Sequence, residues 1–144
     1  MVEQYLTWLN EHGFSGDNLE EKGFNGNTPL LLAALEGNVM MVSRLIEAGA
    51  NLYAINGDFN GVLFNACYSN CPEVIRLLIE AGADIDDINE EGTTALMYAA
   101  SASRVECVKI LLSLGANTKL YNEDGLCAIE LTSNRDVFRQ LRSA

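Results

Sequence analysis

Basic residues are scarce in this sequence: nine lysines and arginines stand against twenty aspartates and glutamates, for a formal net charge of −11. A general nucleic-acid-binding protein needs a basic face, and an anionic membrane surface attracts basic segments. The charge therefore argues against both kinds of ligand. An acidic surface instead favours solubility and attracts basic partners.

Long apolar runs are also missing. No uninterrupted apolar stretch approaches the roughly 20 residues that span a membrane. Residues 1–10 (MVEQYLTWLN) mix apolar and polar side chains, unlike a signal peptide. We therefore expect a soluble, cytoplasmic protein. With 144 residues, 49% of them hydrophobic, the chain can form one domain with a substantial core.

Residues suited to catalysis are few. His12 is the only histidine, so a Ser–His or Cys–His constellation would depend on this one residue. It lies at the end of the first predicted helix, where its positive charge suits the helix dipole. No glycine cluster is followed by Lys-Ser or Lys-Thr, as in a phosphate-binding loop. The sequence predicts no catalytic, cofactor or metal site, and we expect no enzymatic activity.

What the sequence has in abundance is a repeat. Gly49, Gly82 and Gly115 follow one another at a constant step of 33 residues. On the same step, the stretch LLLAA at 30–34 recurs as LFNAC at 63–67 and as LMYAA at 96–100. A fixed period of this length is typical of stacked supersecondary units.

Each unit predicts two short helices. Thr28 is suited to cap the first helix, Pro29 fits its first position, and Gly37 can end it in the left-handed conformation. A second helix is expected over about residues 39–48, closed by Gly49. The first helix is apolar on several sides, which predicts that it is an internal layer of a stack, packed between neighbouring units.

Residues 28–34 (TPLLLAA), Gly37 and residues 45–51 (LIEAGAN) resemble the ankyrin repeat, whose period is also about 33. The resemblance covers essentially the whole chain. It implies an all-α solenoid of stacked helix-turn-helix units joined by protruding hairpin loops. The single domain would comprise an N-terminal capping half-repeat (1–24), three repeats (25–56, 57–89 and 90–122) and a shortened C-terminal capping repeat (123–144).

The second repeat departs from this pattern. Gly61 stands where the first repeat has Thr28, which costs a helix start only a few tenths of a kcal/mol. Phe59 stands where the other units have a loop glycine. A bulky residue is poor at positive φ, so we expect a hairpin of altered shape in this unit.

The chain ends are expected to act as caps. Val2, Tyr5, Leu6 and Leu9 share one face at helical spacing, and Gly13 ends that helix. Terminal units of a stack must shed apolar surface to stay soluble, and both ends here are rich in polar residues. We therefore expect a finished molecule that is monomeric when free.

The four cysteines divide into two kinds. Cys67 and Cys107 align with small or apolar core positions, whereas Cys71 and Cys127 fall in loop or cap positions. Cys67 and Cys71 could come together, but no paired Cys or His motif completes a zinc site. Free thiols in a reducing compartment are the main interpretation. A redox or enzymatic role for Cys67 and Cys71 is the alternative.

The resemblance says little about function, because the family is defined by its scaffold residues. It implies that partners meet the hairpin tips and the inner ends of the first helices. Carried over position by position, it predicts the following partner-binding residues: Phe24, Asn25, Asn27, Leu35, Glu36, Asp58, Asn60, Tyr68, Ser69, Glu90, Glu91, Thr93, Ser101, Glu123, Asp124 and Leu126.

Two features distinguish this predicted surface. It is acidic: residues 84–91 (DIDDINEE) and Glu123 with Asp124 carry no base, so they either solvate the edge or steer a basic partner. It also contains a possible apolar patch of Phe24, Leu35, Phe59 and Tyr68, unless the two phenylalanines are tucked into the stack.

These observations predict a module that binds a protein partner with a basic surface, and neither nucleic acid nor membrane. One form is an immunity or inhibitor protein that masks a basic toxin or enzyme. A scaffold that recruits a partner to an assembly is equally compatible with the residues.

Overall fold

The computed structural model describes residues 2–144 and contains nine α-helices within them. They are α1 (Val2–Glu11), α2 (Pro29–Leu35), α3 (Val39–Glu47), α4 (Val62–Tyr68), α5 (Pro72–Glu80), α6 (Ala95–Ser101), α7 (Val105–Ser113), α8 (Ala128–Leu131) and α9 (Arg135–Ser143). A short 3-10 turn, Phe24–Gly26, precedes α2. Among these residues, no helix combines the length and hydrophobicity that a membrane crossing would need.

The helices from α2 onward form antiparallel pairs stacked in two layers. The first helices of the pairs (α2, α4, α6 and α8) pack on one another in order, and the second helices (α3, α5, α7 and α9) do the same. Each first helix also packs on the second helix of its own pair. The fold is therefore the all-α repeat solenoid that the sequence predicts, and we call the two layers inner and outer.

The inner helices are buried because each lies between two others. In α2, for example, Leu30, Leu31, Ala33 and Ala34 are all almost inaccessible to solvent. Small side chains recur at the last two of these places, as Ala66 with Cys67 in α4 and Ala99 with Ala100 in α6, and they too are fully buried. Small residues let neighbouring backbones approach closely, so a helix almost without a polar face finds partners on several sides.

Helix starts follow the predicted capping chemistry. The hydroxyl of Thr28 accepts a hydrogen bond of 3.3 Å from the backbone N–H of Leu31, and Thr94 does the same for Met97 at 3.2 Å. Gly61 offers no side chain, yet α4 has seven residues, like α2. A missing cap hydroxyl therefore does not shorten this helix, because burial between neighbours stabilises it.

The prediction of an altered hairpin at Phe59 is wrong. Phe59 adopts a φ of +62°, close to the +68° of Gly26 and the +73° of Gly92. Its N–H donates to the carbonyl of Asn56 at 3.0 Å. One repeat later, the N–H of Gly92 donates to the carbonyl of Asn89 at the same distance of 3.0 Å. The turn keeps the common shape, and Phe59 bears the strain of a left-handed conformation that L-residues avoid.

The N-terminal helix is less buried than its pattern predicts. Leu9 is buried, but Val2 is 71% exposed and Leu6 is also exposed. Residues 12–23 contain no helix that could cover them, since this unit has only one helix. Trp8 is buried instead. Gly13 ends α1 at a φ of +80°, as predicted.

Trp8, His12 and Glu36 link α1 to the first complete helix pair. The indole N–H of Trp8 donates to Glu36 Oε1 at 3.1 Å, and the rings of Trp8 and His12 stack with centroids 4.3 Å apart. Both imidazole nitrogens face acceptors: Nδ1 lies 2.7 Å from the Trp8 carbonyl and Nε2 lies 3.0 Å from Glu36 Oε2. This arrangement favours the doubly protonated ring, because only the imidazolium has two N–H donors.

The stability of this contact should depend on pH. Burial lowers the pKa of His12, but hydrogen bonds to the Trp8 carbonyl and to Glu36, with the nearby carboxylates, more than offset burial and raise the pKa above 6.5. A raised folded-state pKa gives stabilisation that is complete below the unfolded pKa and is lost as the pH rises through the folded pKa. We expect the free energy of unfolding in urea to fall between about pH 6 and about pH 8, by up to about 1 kcal/mol.

The control for this pH dependence is His12→Gln, which removes the only histidine. Its free energy of unfolding should be nearly flat over the same range. An equal slope in both proteins would show that another group causes the effect. Fluorescence of Trp8, the only tryptophan, gives an independent readout of the local contact.

The strain at Phe59 should be measurable as stability. Asparagine tolerates the left-handed conformation better than phenylalanine, so Phe59→Asn should raise the free energy of unfolding by about 0.5–1 kcal/mol. Phe24→Asn is the matched control, because Phe24 is also exposed but lacks a positive φ. A less stable Phe59→Asn protein would mean that ring packing outweighs strain. Urea unfolding followed by circular dichroism measures both variants.

Candidate functional site

Asparagine side chains organise the hairpin tips of the last three units. The side-chain oxygen of Asn56 accepts hydrogen bonds from the backbone N–H groups of Asp58 and Asn60, at 2.9 and 3.1 Å. Asn89 and Asn122 make the equivalent pairs of bonds, each of 2.9 to 3.0 Å. The three asparagines are spaced by 33 residues, so the repeat alignment contained this signal although the predicted site omitted them.

Further hydrogen bonds connect successive tips. The N–H of Gly57 donates to the carbonyl of Asn25 at 2.8 Å, and the Asn25 side chain donates to Asp58 Oδ2 at 2.8 Å. Asn56 donates to Asn27 Oδ1 at 3.2 Å. The tips are thus tied to one another as well as to their own helices, which fixes the spacing of the residues that they expose.

A groove of about 660 Å³ lies between the tips and the inner helices α2, α4 and α6. Eight of the sixteen predicted residues line it: Asn25, Asn27, Leu35, Asp58, Asn60, Tyr68, Glu91 and Thr93. Five lining residues were not predicted: Asn56, Phe64, Asn65, Asn89 and Tyr98. Neither lysine nor arginine is among the lining residues, which include the carboxylates of Asp58 and Glu91.

The floor of the groove is aromatic and polar together. The rings of Phe64 and Tyr98 pack with centroids 5.6 Å apart, and Tyr68 is exposed beside them. Asn65 is only 4% exposed. Its amide nitrogen donates to the Leu31 carbonyl at 2.8 Å and to Asn27 Oδ1 at 3.2 Å, which uses both N–H groups.

The other eight predicted residues do not line the groove. They are Phe24, Glu36, Ser69, Glu90, Ser101, Glu123, Asp124 and Leu126. Glu90, Glu123 and Asp124 are exposed in the tip loops, where they leave the acidic rim in contact with solvent.

Two of these residues are held by neighbouring groups. Both carboxylate oxygens of Glu36 are engaged, one by Trp8 and one by His12. The Ser69 hydroxyl lies 2.9 Å from the carbonyls of Ala34 and Ala66, and therefore contacts the preceding inner helix. Sequence spacing could not reveal these contacts, because both involve partners in another unit.

The predicted apolar patch is not one surface. Leu35 and Tyr68 line the groove, whereas Phe24 is 91% exposed and Phe59 is 49% exposed on the tips. Neither phenylalanine is tucked into the stack. A different apolar series, Ile55, Ile88 and Tyr121, is exposed at a constant step of 33 in the loops and was missed by the sequence prediction.

Comparison with known families agrees with this geometry. The family described as "Ankyrin repeat" matches residues 25–57, and the family described as "Ankyrin repeats (many copies)" matches residues 63–112. Together the two matches cover more than half of the chain. The chain belongs to the ankyrin-repeat family. A search of curated proteins gave no match.

Ankyrin-repeat domains are typically non-catalytic modules that bind other proteins. Within residues 2–144, no three His, Cys, Asp or Glu side chains are grouped so that they could hold a metal ion. Four basic residues lie on the outer helices of this ankyrin stack: Arg44, Arg76, Lys109 and Arg139.

The four cysteines of the ankyrin stack are free thiols, and the two of the predicted alternative differ in exposure, since Cys67 is buried and Cys71 is partly exposed. Cys67 and Cys107 are fully buried, and interaction with the neighbouring Cys107 thiol, together with burial, raises the pKa of Cys67 well above its ordinary value. A thiol with a raised pKa is a poor nucleophile at neutral pH, because the thiolate is the reactive form. The two thiols donate to different acceptors: Cys67 Sγ to the Ala95 carbonyl at 3.8 Å and Cys107 Sγ to Asn70 Oδ1 at 3.4 Å.

Burial should divide the thiols into two classes. We expect Cys71 and Cys127, which are partly exposed, to react with a thiol reagent in the native protein, and Cys67 and Cys107 to react only after unfolding. Mass spectrometry of the labelled peptides identifies the fast sites. Cys67→Ala, which matches the alanines at 34 and 100, should leave the fast reaction unchanged. Rapid labelling of Cys67 in the native protein would contradict the burial described here.

Proposed function

We propose that this ankyrin-repeat protein is non-catalytic and binds a protein partner with a basic surface through its groove and tips. The observation that supports it best is the composition of the groove, which presents carboxylates, amides and aromatic rings but neither lysine nor arginine. Such a surface offers many hydrogen-bond acceptors, so a partner rich in cationic donors complements it.

The charge distribution favours the same partner. Asp58 and Glu91 line the groove, and Glu90, Glu123 and Asp124 are exposed in the neighbouring tip loops. A negative field concentrated on one face steers cationic partners toward it and raises the association rate at low ionic strength. The exposed aromatic side chain of Tyr68 supplies a surface of the kind that often anchors a protein interface.

The specific role that we propose is masking. A concave acidic groove can cover a convex basic patch on a toxin or an enzyme, which is the action of an immunity or inhibitor protein. We propose further that the protein is cytoplasmic and monomeric before it binds, and that the one-helix unit at 1–24 and the short unit at 123–144 act as its caps. The identity of the partner would distinguish masking from recruitment to an assembly.

The test is affinity capture from the native host's lysate at low salt. The wild-type protein is compared with a variant that carries Glu90→Lys, Glu91→Lys, Glu123→Lys and Asp124→Lys. We expect the wild type to retain a basic protein that added salt releases, and the variant to lose it, because charge reversal on the tips repels a cationic partner.

A matched control reverses four carboxylates elsewhere: Glu3→Lys, Asp17→Lys, Glu73→Lys and Glu80→Lys. All four are exposed and none lines the groove, so the net charge changes equally while the tips stay acidic. The control should keep the partner. Loss of the partner in both variants would indicate only a net-charge effect. Retention in both would rule out the acidic tips as the binding surface.

A further inference from the structure

The groove has an acceptor on its floor that the protein leaves open. Asn65 is almost entirely buried, and both of its amide N–H groups are used inside the protein. Its Oδ1 accepts no hydrogen bond from residues 2–144, and it is not sealed in the interior, because Asn65 lines the groove. Because this oxygen is open to the groove, water can satisfy it in the free protein, and a donor that enters from the groove can replace that water.

The surroundings of Asn65 define what that donor can be. Aromatic rings lie beside it, since Tyr98 packs on Phe64 and Tyr68 is exposed in the same groove. The carboxylates of Asp58 and Glu91 line the groove as well. Arg104 interacts with the Tyr98 phenol, but it does not line the groove. The site therefore combines acceptors, ring faces and negative charge.

We infer that the groove takes an arginine side chain of the partner, with its guanidinium between the Asn65 carbonyl and the carboxylates of Asp58 and Glu91. Guanidinium is planar, carries five N–H donors and stacks on aromatic rings, and its charge persists at all physiological pH values. The lysine ammonium is a strongly hydrated point charge that meets fewer of these requirements. This inference rests on the proposed function, because it names the group by which a basic partner is recognised.

Asn65 is peculiar to the second repeat. The equivalent positions, 33 residues away on either side, are Leu32 and Tyr98. The floor acceptor is thus placed once, at the middle of the stack. A surface that only attracted positive charge would need no such acceptor, since carboxylates on the tips would be sufficient.

The experiment uses three synthetic peptides with one variable residue, acetyl-Gly-Gly-Xaa-Gly-Gly-amide, where Xaa is arginine, lysine or citrulline. Citrulline keeps the shape of arginine without its charge. Each peptide is titrated into the full-length protein and followed by NMR, through the Asn65 side-chain amide and the backbone amides of Tyr68 and Glu91. We expect saturable shifts with the arginine peptide and about tenfold weaker binding of the other two.

Two protein variants test the assigned contacts. Asn65→Leu places the residue of the first repeat on the floor, and Asp58→Asn with Glu91→Gln removes the two charges with little change in shape. Each change should lower the affinity for the arginine peptide by about three- to tenfold. The control is Glu73→Gln with Glu80→Gln, an equal charge change on the exposed side of α5 away from the groove and the tips, which should leave the affinity for the arginine peptide within about twofold. If Asn65→Leu does not fold, the variant with Asp58→Asn and Glu91→Gln still tests the inference.

The inference is overturned if the arginine peptide gives no saturable shift, if the citrulline peptide binds equally well, or if the groove variants bind as the wild type does. These results are distinct from those of affinity capture. A basic partner captured through the acidic tips, without any arginine site on the floor, would leave the proposed function standing alone. If the arginine peptide binds but affinity capture retains no basic protein, the arginine site on the floor stands and the proposed role of the acidic tips does not.

Discussion

Every inner helix of this protein depends on its neighbours for burial. A seven-residue helix such as α2 buries five residues, and its own outer helix can cover only one side of it. Short helices are marginal in isolation, so the stack and its parts form together. This stacking requires small side chains where the inner helices meet, as supplied by the buried alanines and Cys67. A larger side chain at these positions would hold the inner helices apart.

This dependence explains why most of the fold could be predicted from the sequence. Glycines at a constant step, a threonine cap and small residues inside an apolar run are local signals, and each has the same meaning in every unit. The errors arose where one unit has surroundings unlike the others. Phe59 was judged by its own conformational preference, whereas the bonds to Asn56 hold the turn in its common shape. In α1, spacing identified an apolar face but could not show that half of it lacks a neighbour.

The candidate site was predictable in part for the same reason. Asp58, Asn60 and Glu91 occupy tip positions that any unit exposes, and they line the groove. Phe64, Asn65 and Tyr98 fall inside stretches that the pattern assigns to the interior, and only the three-dimensional arrangement shows which side of an inner helix is open. Glu36 was predicted to face a partner, but the prediction missed its contacts within the protein. Trp8 and His12, from another unit, engage both of its carboxylate oxygens.

The tip asparagines have a consequence for how such a surface changes over generations. In the last three units, the side-chain oxygens of Asn56, Asn89 and Asn122 accept the main-chain N–H groups of the turn, so these donors need no partner from the side chains that follow. Asp58 lies at such a position and also accepts a hydrogen bond from Asn25, and Glu91 and Asp124 occupy the equivalent positions. Mutation can rewrite them one at a time while the scaffold stays intact, and a new partner can be acquired without first inventing a new loop.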